Sequence, residues 1–170
     1  NRRGRWAMWM FLVLFLGTLP AEFIANDRPL AVWYEGSLYS PVLKTYAETV
    51  FGGDFETEAE YREVDVQELI TKKGGWILWP AVRYSYNTVN LNLNVPAPAP
   101  PSGDNWLGTD DQGRDVLARV IYGFRISVLF GLILTVIGSV IGIVAGAFQG
   151  YFGGWLDLLF QRFIEIWGGL

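Results

Sequence analysis

Hydrophobic positions along the chain fall into two long uncharged runs separated by a mixed, aromatic-rich segment. The first, Trp6 to Ile24, carries no charge before Glu22, and as a helix it would cover roughly 28 Å, close to the hydrocarbon thickness of a bilayer. The second, Ile126 to Phe148, has no charged residue, and its helix would cover roughly 34 Å. Gly138, Gly142 and Gly146 within it, and Gly150 just past it, recur every fourth residue, which places them on one stripe where another backbone can approach closely. Gly138, Gly142 and Gly146 are therefore expected to be helix-packing positions. A turn over 149–154 follows, and a further apolar stretch, 155–170, carries Asp157 at its start and Arg162 and Glu165 three apart on one face. The reading is a third membrane element that continues past Leu170; an interfacial amphipathic helix is the alternative.

Between the runs, residues 25–122 have another character. Leu30 to Tyr34 and Trp76 to Trp79 are aromatic and β-branched and predict strands. Val66 to Lys73 predicts a short helix with basic residues in its last turn and Gly74 as its cap. Asn90 to Val95 alternates with the strand period, and Pro96-Ala-Pro-Ala-Pro-Pro101 predicts an extended spacer. The aromatic residues of this segment, among them Tyr84, Tyr86 and Trp106, are expected to supply a small core, with an aromatic-lined groove as the rival.

Charge sets direction. Arg2, Arg3 and Arg5 precede the first run, whereas residues 21–123 hold 15 acidic against 8 basic residues. Positive charge is retained on the cytoplasmic side, so residues 1–5 are expected inside, 6–24 as the first spanning helix, 25–122 outside and 123–148 as the second span. A cleaved signal peptide is the alternative for the first run, with Pro20-Ala-Glu22 as a weak processing site. The acidic stretch Phe51 to Asp65 reads as a solvated loop followed by a helix start, or as an electrostatic docking face. With no cysteine and no histidine, thiol catalysis, Cys-ligated metal sites and imidazole bases are excluded. A net charge of −4 argues against nucleic-acid binding.

The sharpest local pattern is Asn105-Trp-Leu-Gly-Thr-Asp-Asp-Gln-Gly-Arg-Asp115. Thr109 or Asp110 can cap a turn, Gly113 can supply a special dihedral, and Asp115 can begin a helix whose apolar face is Val116, Leu117, Val120 and Ile121. Arg114 and Arg119 would lie on its wet side. Asp110, Asp111 and Asp115 lack the order of a calcium loop, and no spacing supports a hydrolytic carboxylate pair. No catalytic, cofactor-binding or metal-ligating residue is assigned.

The segments Leu107 to Asp115, Tyr122-Gly-Phe-Arg-Ile-Ser127, the glycine-bearing helix and Gly150 to Asp157 resemble the second permease subunit of dipeptide and oligopeptide ABC importers, the DppC/OppC type. The long insert, with Ala21 to Leu30, Gly75 to Pro80 and Arg83 to Asn87, is similar more narrowly to permeases of the Yej peptide and microcin uptake system, as is Gln161 to Trp167. The resemblance implies an all-α polytopic membrane protein with the MetI-like transmembrane domain of a type I importer, carrying a long periplasmic insert of mixed α/β or irregular structure. It implies a structural role for the family motif, Gly108, Thr109, Asp110, Gly113, Arg114 and Asp115. It also implies a second permease (YejB-like), cytoplasmic ATPases (YejF-like) that hold the ATP and Mg2+, and a periplasmic peptide-binding protein (YejA-like). The chain itself would hydrolyse nothing, and the cytoplasmic coupling loop is expected beyond Leu170 in a longer protein. A membrane-anchored assembly protein with an external partner-binding region is the alternative function.

Overall fold

The computed structural model describes residues 1–168, and of 156 and 157 the backbone alone, so the expected helix-start role of the Asp157 side chain lies outside the described residues. The chain divides into two units, 1–126 and 127–170.

The first unit opens with α1, Arg2–Thr18, whose N-terminus is capped by the Asn1 side chain. Pro20 has no N–H to donate and ends the helix, so the expected run to Ile24 is divided: Ala21–Ile24 forms a separate single turn, α2. At 17 residues α1 is about 26 Å long. A three-stranded antiparallel sheet follows in the order β2-β1-β3, with β1 Ala31–Tyr34, β2 Ser37–Tyr39 and β3 Trp76–Leu78. Strand β2 had no sequence prediction. It follows the Glu35-Gly36 turn, where both residues take positive φ, the backbone sense that closes a two-residue hairpin.

One sheet face buries Val32 and Tyr34 against Phe51, Ala59, Tyr61, Val66 and Ile70. The other presents Trp33 and Trp76, paired in register, and Leu38 to the outside. The acidic stretch is therefore not simply a solvated loop. Its apolar members turn inward: Phe51 closes a 3-10 turn, Glu48–Phe51, and lies edge-on to Tyr34, Tyr39 and Tyr61 at ring separations of 5.4–5.6 Å. Helix α3, Val64–Lys72, contributes Val66 and Ile70 and ends at Gly74, φ +73°.

A second cluster joins distant parts of this unit: Ala21, Ala25, Val82, Tyr84, Ala118 and Tyr122. Residues Asn90 to Val95 form no strand, contrary to the alternating pattern. Only Val89 bridges to Arg114, and the Asn90 side chain turns inward instead of completing a ladder.

Helix α4, Val116–Phe152, runs for 37 residues, about 56 Å, without interruption. The short amphipathic helix and the second span expected from sequence are one element, and the expected 149–154 turn shrinks to Gly153 and Gly154, both at positive φ. Among the described residues α4 is the one helix long and apolar enough to cross a membrane.

The second unit holds the apolar part of α4 and α5, Trp155–Gly168. Among the described residues, no atom beyond the neighbouring backbone of the helix itself lies within 4 Å of where a Cβ on Gly138, Gly142 or Gly146 would stand. Arg162 and Glu165 pair at 2.8 Å, both largely exposed.

Candidate functional site

The motif from Asn105 to Asp115 folds as a tight loop hydrogen-bonded on every side. Gly108, φ +76°, accepts at its carbonyl the N–H of Val116 and donates its own N–H to Asn105 O. Its Cα faces the proline segment so closely that a Cβ would stand 2.5 Å from the Ala99 carbonyl oxygen. Thr109 is buried, donates its N–H to Ala99 O at 2.9 Å and accepts the Ala99 N–H on Oγ1 at 2.9 Å. The proline run is thus a wall of the loop and not a free spacer, because the motif satisfies the backbone groups that prolines leave without ladder partners.

Asp110 organises the turn. Its Oδ1 accepts the N–H groups of Gln112 and Arg114 at 2.9 Å each, and its Oδ2 accepts Arg114 Nε at 2.9 Å and also contacts Arg119. Gly113, φ +77°, donates to Asp110 O and lets the chain reverse. Burial alone would raise the Asp110 carboxyl pKa, but the Arg114 backbone and guanidinium and the Gln112 N–H outweigh it and hold the group at about 2. Because the folded value lies below the ordinary one, this carboxylate contributes stability that is complete above about pH 4 and lost as pH falls toward 2. An acid titration followed by Trp106 fluorescence should therefore show no Asp110-linked change between pH 5 and 8, and a transition below about pH 4 that Asp110→Asn removes.

Asp115 is fully buried and caps α4, accepting the Ala118 N–H on Oδ1 at 2.7 Å. Its Oδ2 accepts Asn105 Nδ2 at 2.8 Å, Asn105 Oδ1 accepts Asn90 Nδ2 at 3.0 Å, and Asn90 Oδ1 accepts the Asn92 N–H at 3.1 Å. The sequence left Arg114 and Arg119 on the wet side of the helix, with no partner assigned. The structure places Arg114 and Arg119 on Asp110 alone and gives Asp115 an amide relay. Asn90 and Asn105 were missed. For Asn90 the signal was faint, an asparagine within an alternating run where a strand former would be expected; Asn105 opened the motif with no role assigned.

A second set of contacts joins the start of α4 to the break after α1. Arg125 grips Glu22 with two parallel bonds of 2.8 Å, and its Nη1 also reaches Leu19 O at 3.0 Å. Tyr122 OH donates to Ala25 O at 2.9 Å, and the Arg125 guanidinium lies 5.1 Å from the Tyr122 ring centre. Carbonyls freed by the Pro20 break thus find donors on α4. Phe11 and Phe124 meet edge-on at 5.8 Å. Sequence reading named Glu22 only as the end of a run and Arg125 only within the resembling segment, since their separation of 103 residues conceals the pairing.

Among the described residues no group of carboxylates is placed to hold a metal ion. The side chains of Tyr34 and Tyr61 are the described buried groups without a hydrogen-bond partner, and both lie in the first core, away from the motif.

The fold and site together are a folded polar unit braced onto the entry of a helix long and apolar enough to cross a membrane, with the carboxylates of its motif already paired inside the loop. Comparison with known proteins gives its kind. Over all 170 residues the chain is 53% identical to the inner membrane ABC transporter permease protein YejE of Escherichia coli, and over 194 aligned positions 50% identical to the peptidoglycan transport system permease protein YejE of Agrobacterium fabrum. The chain spans about half the length of these two relatives. A weaker match, 44% over 84 residues, links 49% of the chain to 27% of the oligopeptide transport system permease protein OppC of Bacillus subtilis. The chain is a homologue of peptide ABC-transporter permeases of the YejE type. No family model and no solved structure matches it.

Proposed function

We propose that the full-length protein is the permease subunit of an ATP-driven peptide importer. It would form half of a translocation pathway with a second permease, accept peptide from a periplasmic binding protein, and be powered by separate ATPase subunits that hold ATP and Mg2+. Microcin-like peptides fall within the same substrate class. The observation that carries this reading is the identity to YejE permeases along the whole chain. The inward-turned motif supports a structural role for Gly108, Thr109, Asp110, Gly113, Arg114 and Asp115, since its carboxylates are already engaged. The test is ATP-dependent uptake of labelled peptide by the full-length protein reconstituted with its partner subunits and binding protein. A complex that assembles, hydrolyses ATP and moves no peptide would overturn the transport reading and favour the anchoring one.

In this reading residues 1–5 are cytoplasmic and 25–122 periplasmic. A Thr57→Cys reporter in the cysteine-free chain should be labelled by an impermeant maleimide once the outer membrane is opened, before the inner membrane is breached. Labelling only after the inner membrane is opened would reverse the topology.

Gly142 and Gly146 would meet a helix from outside this segment, because among the described residues nothing beyond their own helix backbone approaches them. Gly142→Leu and Gly146→Leu are expected to insert normally yet lower complex yield by about an order of magnitude, as the added side chain separates backbones that stay comfortable in lipid. Parental yield and uptake in both variants would exclude the packing role.

A further inference from the structure

The contacts between Glu22 and Arg125 do more than satisfy two charges. Pro20 divides the first apolar run into α1 and α2, and a broken helix end held by apolar contact alone can swivel about its break. Arg125 spans that break: one guanidinium binds the Leu19 carbonyl, before the proline, and the Glu22 carboxylate, after it. The planar fork fixes orientation as well as distance, which a lysine ammonium would not do. Arg125 is held from its other side by the Tyr122 ring, and Tyr122 OH in turn holds Ala25 O, just past α2. Below the break, Phe11 of α1 lies against Phe124 of α4. The Arg125 side chain is 19% exposed, so loss of its carboxylate leaves a charge with reduced access to water beside an uncharged run.

We infer that Glu22 and Arg125 form a clamp that locks the broken end of α1 onto α4 and makes the two move as one body. Arg125 is a positioning residue: it touches backbone, carboxylate and ring, and it acts through the placement of α1. The transport consequence rests on the importer reading above; the locking itself does not. A pair that held only during folding would leave the assembled joint indifferent to its later loss, whereas a clamp keeps α1 in register throughout.

The experiment uses the full-length protein on a cysteine-less background in native membranes, carrying Phe11→Cys with Phe124→Cys as a proximity reporter and a short bis-methanethiosulfonate as the cross-linker. The parent reporter should cross-link efficiently, and Glu22→Gln and Arg125→Gln should each lower the yield about fivefold, with Arg125→Lys between them because charge remains but the fork is lost. Insertion is followed separately by alkaline extraction. Where Arg125→Gln fails to insert, Glu22→Gln carries the test, since it keeps the arginine and its bond to the Leu19 carbonyl. Unchanged cross-linking in the inserted Glu22→Gln variant, or no cross-link in the parent reporter, overturns the clamp. In reconstituted uptake without the reporter cysteines, Glu22→Gln should lower turnover while the KM for peptide stays at the parental value, because the pair positions a helix and binds no peptide. A changed KM with unchanged turnover would overturn the positioning role. Absence of uptake in the parent itself would count against the importer reading and leave the cross-linking result to decide the clamp.

Discussion

Gly108→Ala is expected to be the most damaging conservative substitution in the motif, abolishing recovery of folded protein from the membrane. Two costs add at this position. The backbone sits at φ +76°, where a side chain costs about 1–2 kcal/mol, and the new Cβ would stand 2.5 Å from the Ala99 carbonyl oxygen and 3.1 Å from Pro100 C. Those atoms are backbone, held in place by the two bonds between Ala99 and Thr109, so they cannot turn aside as a flexible side chain would. Gly113 is the internal control. It has nearly the same φ, +77°, but a Cβ there first meets an atom at 3.4 Å. Gly113→Ala should therefore pay only the conformational part and yield folded, less stable protein, with Gly113→Asn milder still because asparagine tolerates the left-handed region. The check is thermal unfolding in detergent with the yield of monodisperse protein. Equal behaviour of Gly108→Ala and Gly113→Ala would show that the approach to the proline wall does not constrain the motif.

Asp115→Asn is expected to cost about 1–3 kcal/mol, although it changes only one atom of the side chain. The relay from Asn92 through Asn90 and Asn105 to Asp115 runs in one direction, with every amide donating toward the carboxylate. An asparagine at 115 can keep its oxygen on the Ala118 N–H and then presents an NH2 group to the NH2 group of Asn105. Turning Asn105 and Asn90 over restores those two contacts, but the last flip faces an NH2 group to the Asn92 N–H, so one donor loses its acceptor. An acceptor-only group at position 115 is what gives the relay its sense. Asp115→Ala removes the helix cap as well and should cost more. Melting temperatures of the two variants, together with the yield of assembled complex, read the difference. An Asp115→Asn variant as stable as the parent would show that the relay polarity carries no energy. Asp110→Asn loses charge against Arg114 and Arg119 at a more accessible site and should be milder at neutral pH.

The elements that were legible in the sequence are those whose signal is local and repeated. Strand β1, helix α3 with its Gly74 end, and the long apolar stretch of α4 each follow from spacing, because burial on one face or immersion in lipid imposes a period or a length on neighbouring residues. Pro20 was visible too, but the apolar character on both sides of it outweighed its meaning, and the break between α1 and α2 was read through. At Asn90 to Val95 the alternation was real and its cause was not a sheet: Asn90 is drawn inward by a buried amide partner at position 105. The motif was found through its special residues, with Gly113 and Asp115 given the turn and cap roles they hold.

By itself the sequence determined where charge is excluded, where helices can run through an apolar medium, and where glycine, aspartate and proline punctuate the backbone, since each of these is a property of residues within a few positions of one another. Tertiary structure alone decided which groups meet: Arg114 and Arg119 on Asp110, Asn105 on Asp115, the proline wall against Gly108, and Arg125 on Glu22. The physical reason is that a hydrogen bond or an ion pair is set by distance in space and by the direction of donors, and for partners separated by 103 residues no local period records either quantity.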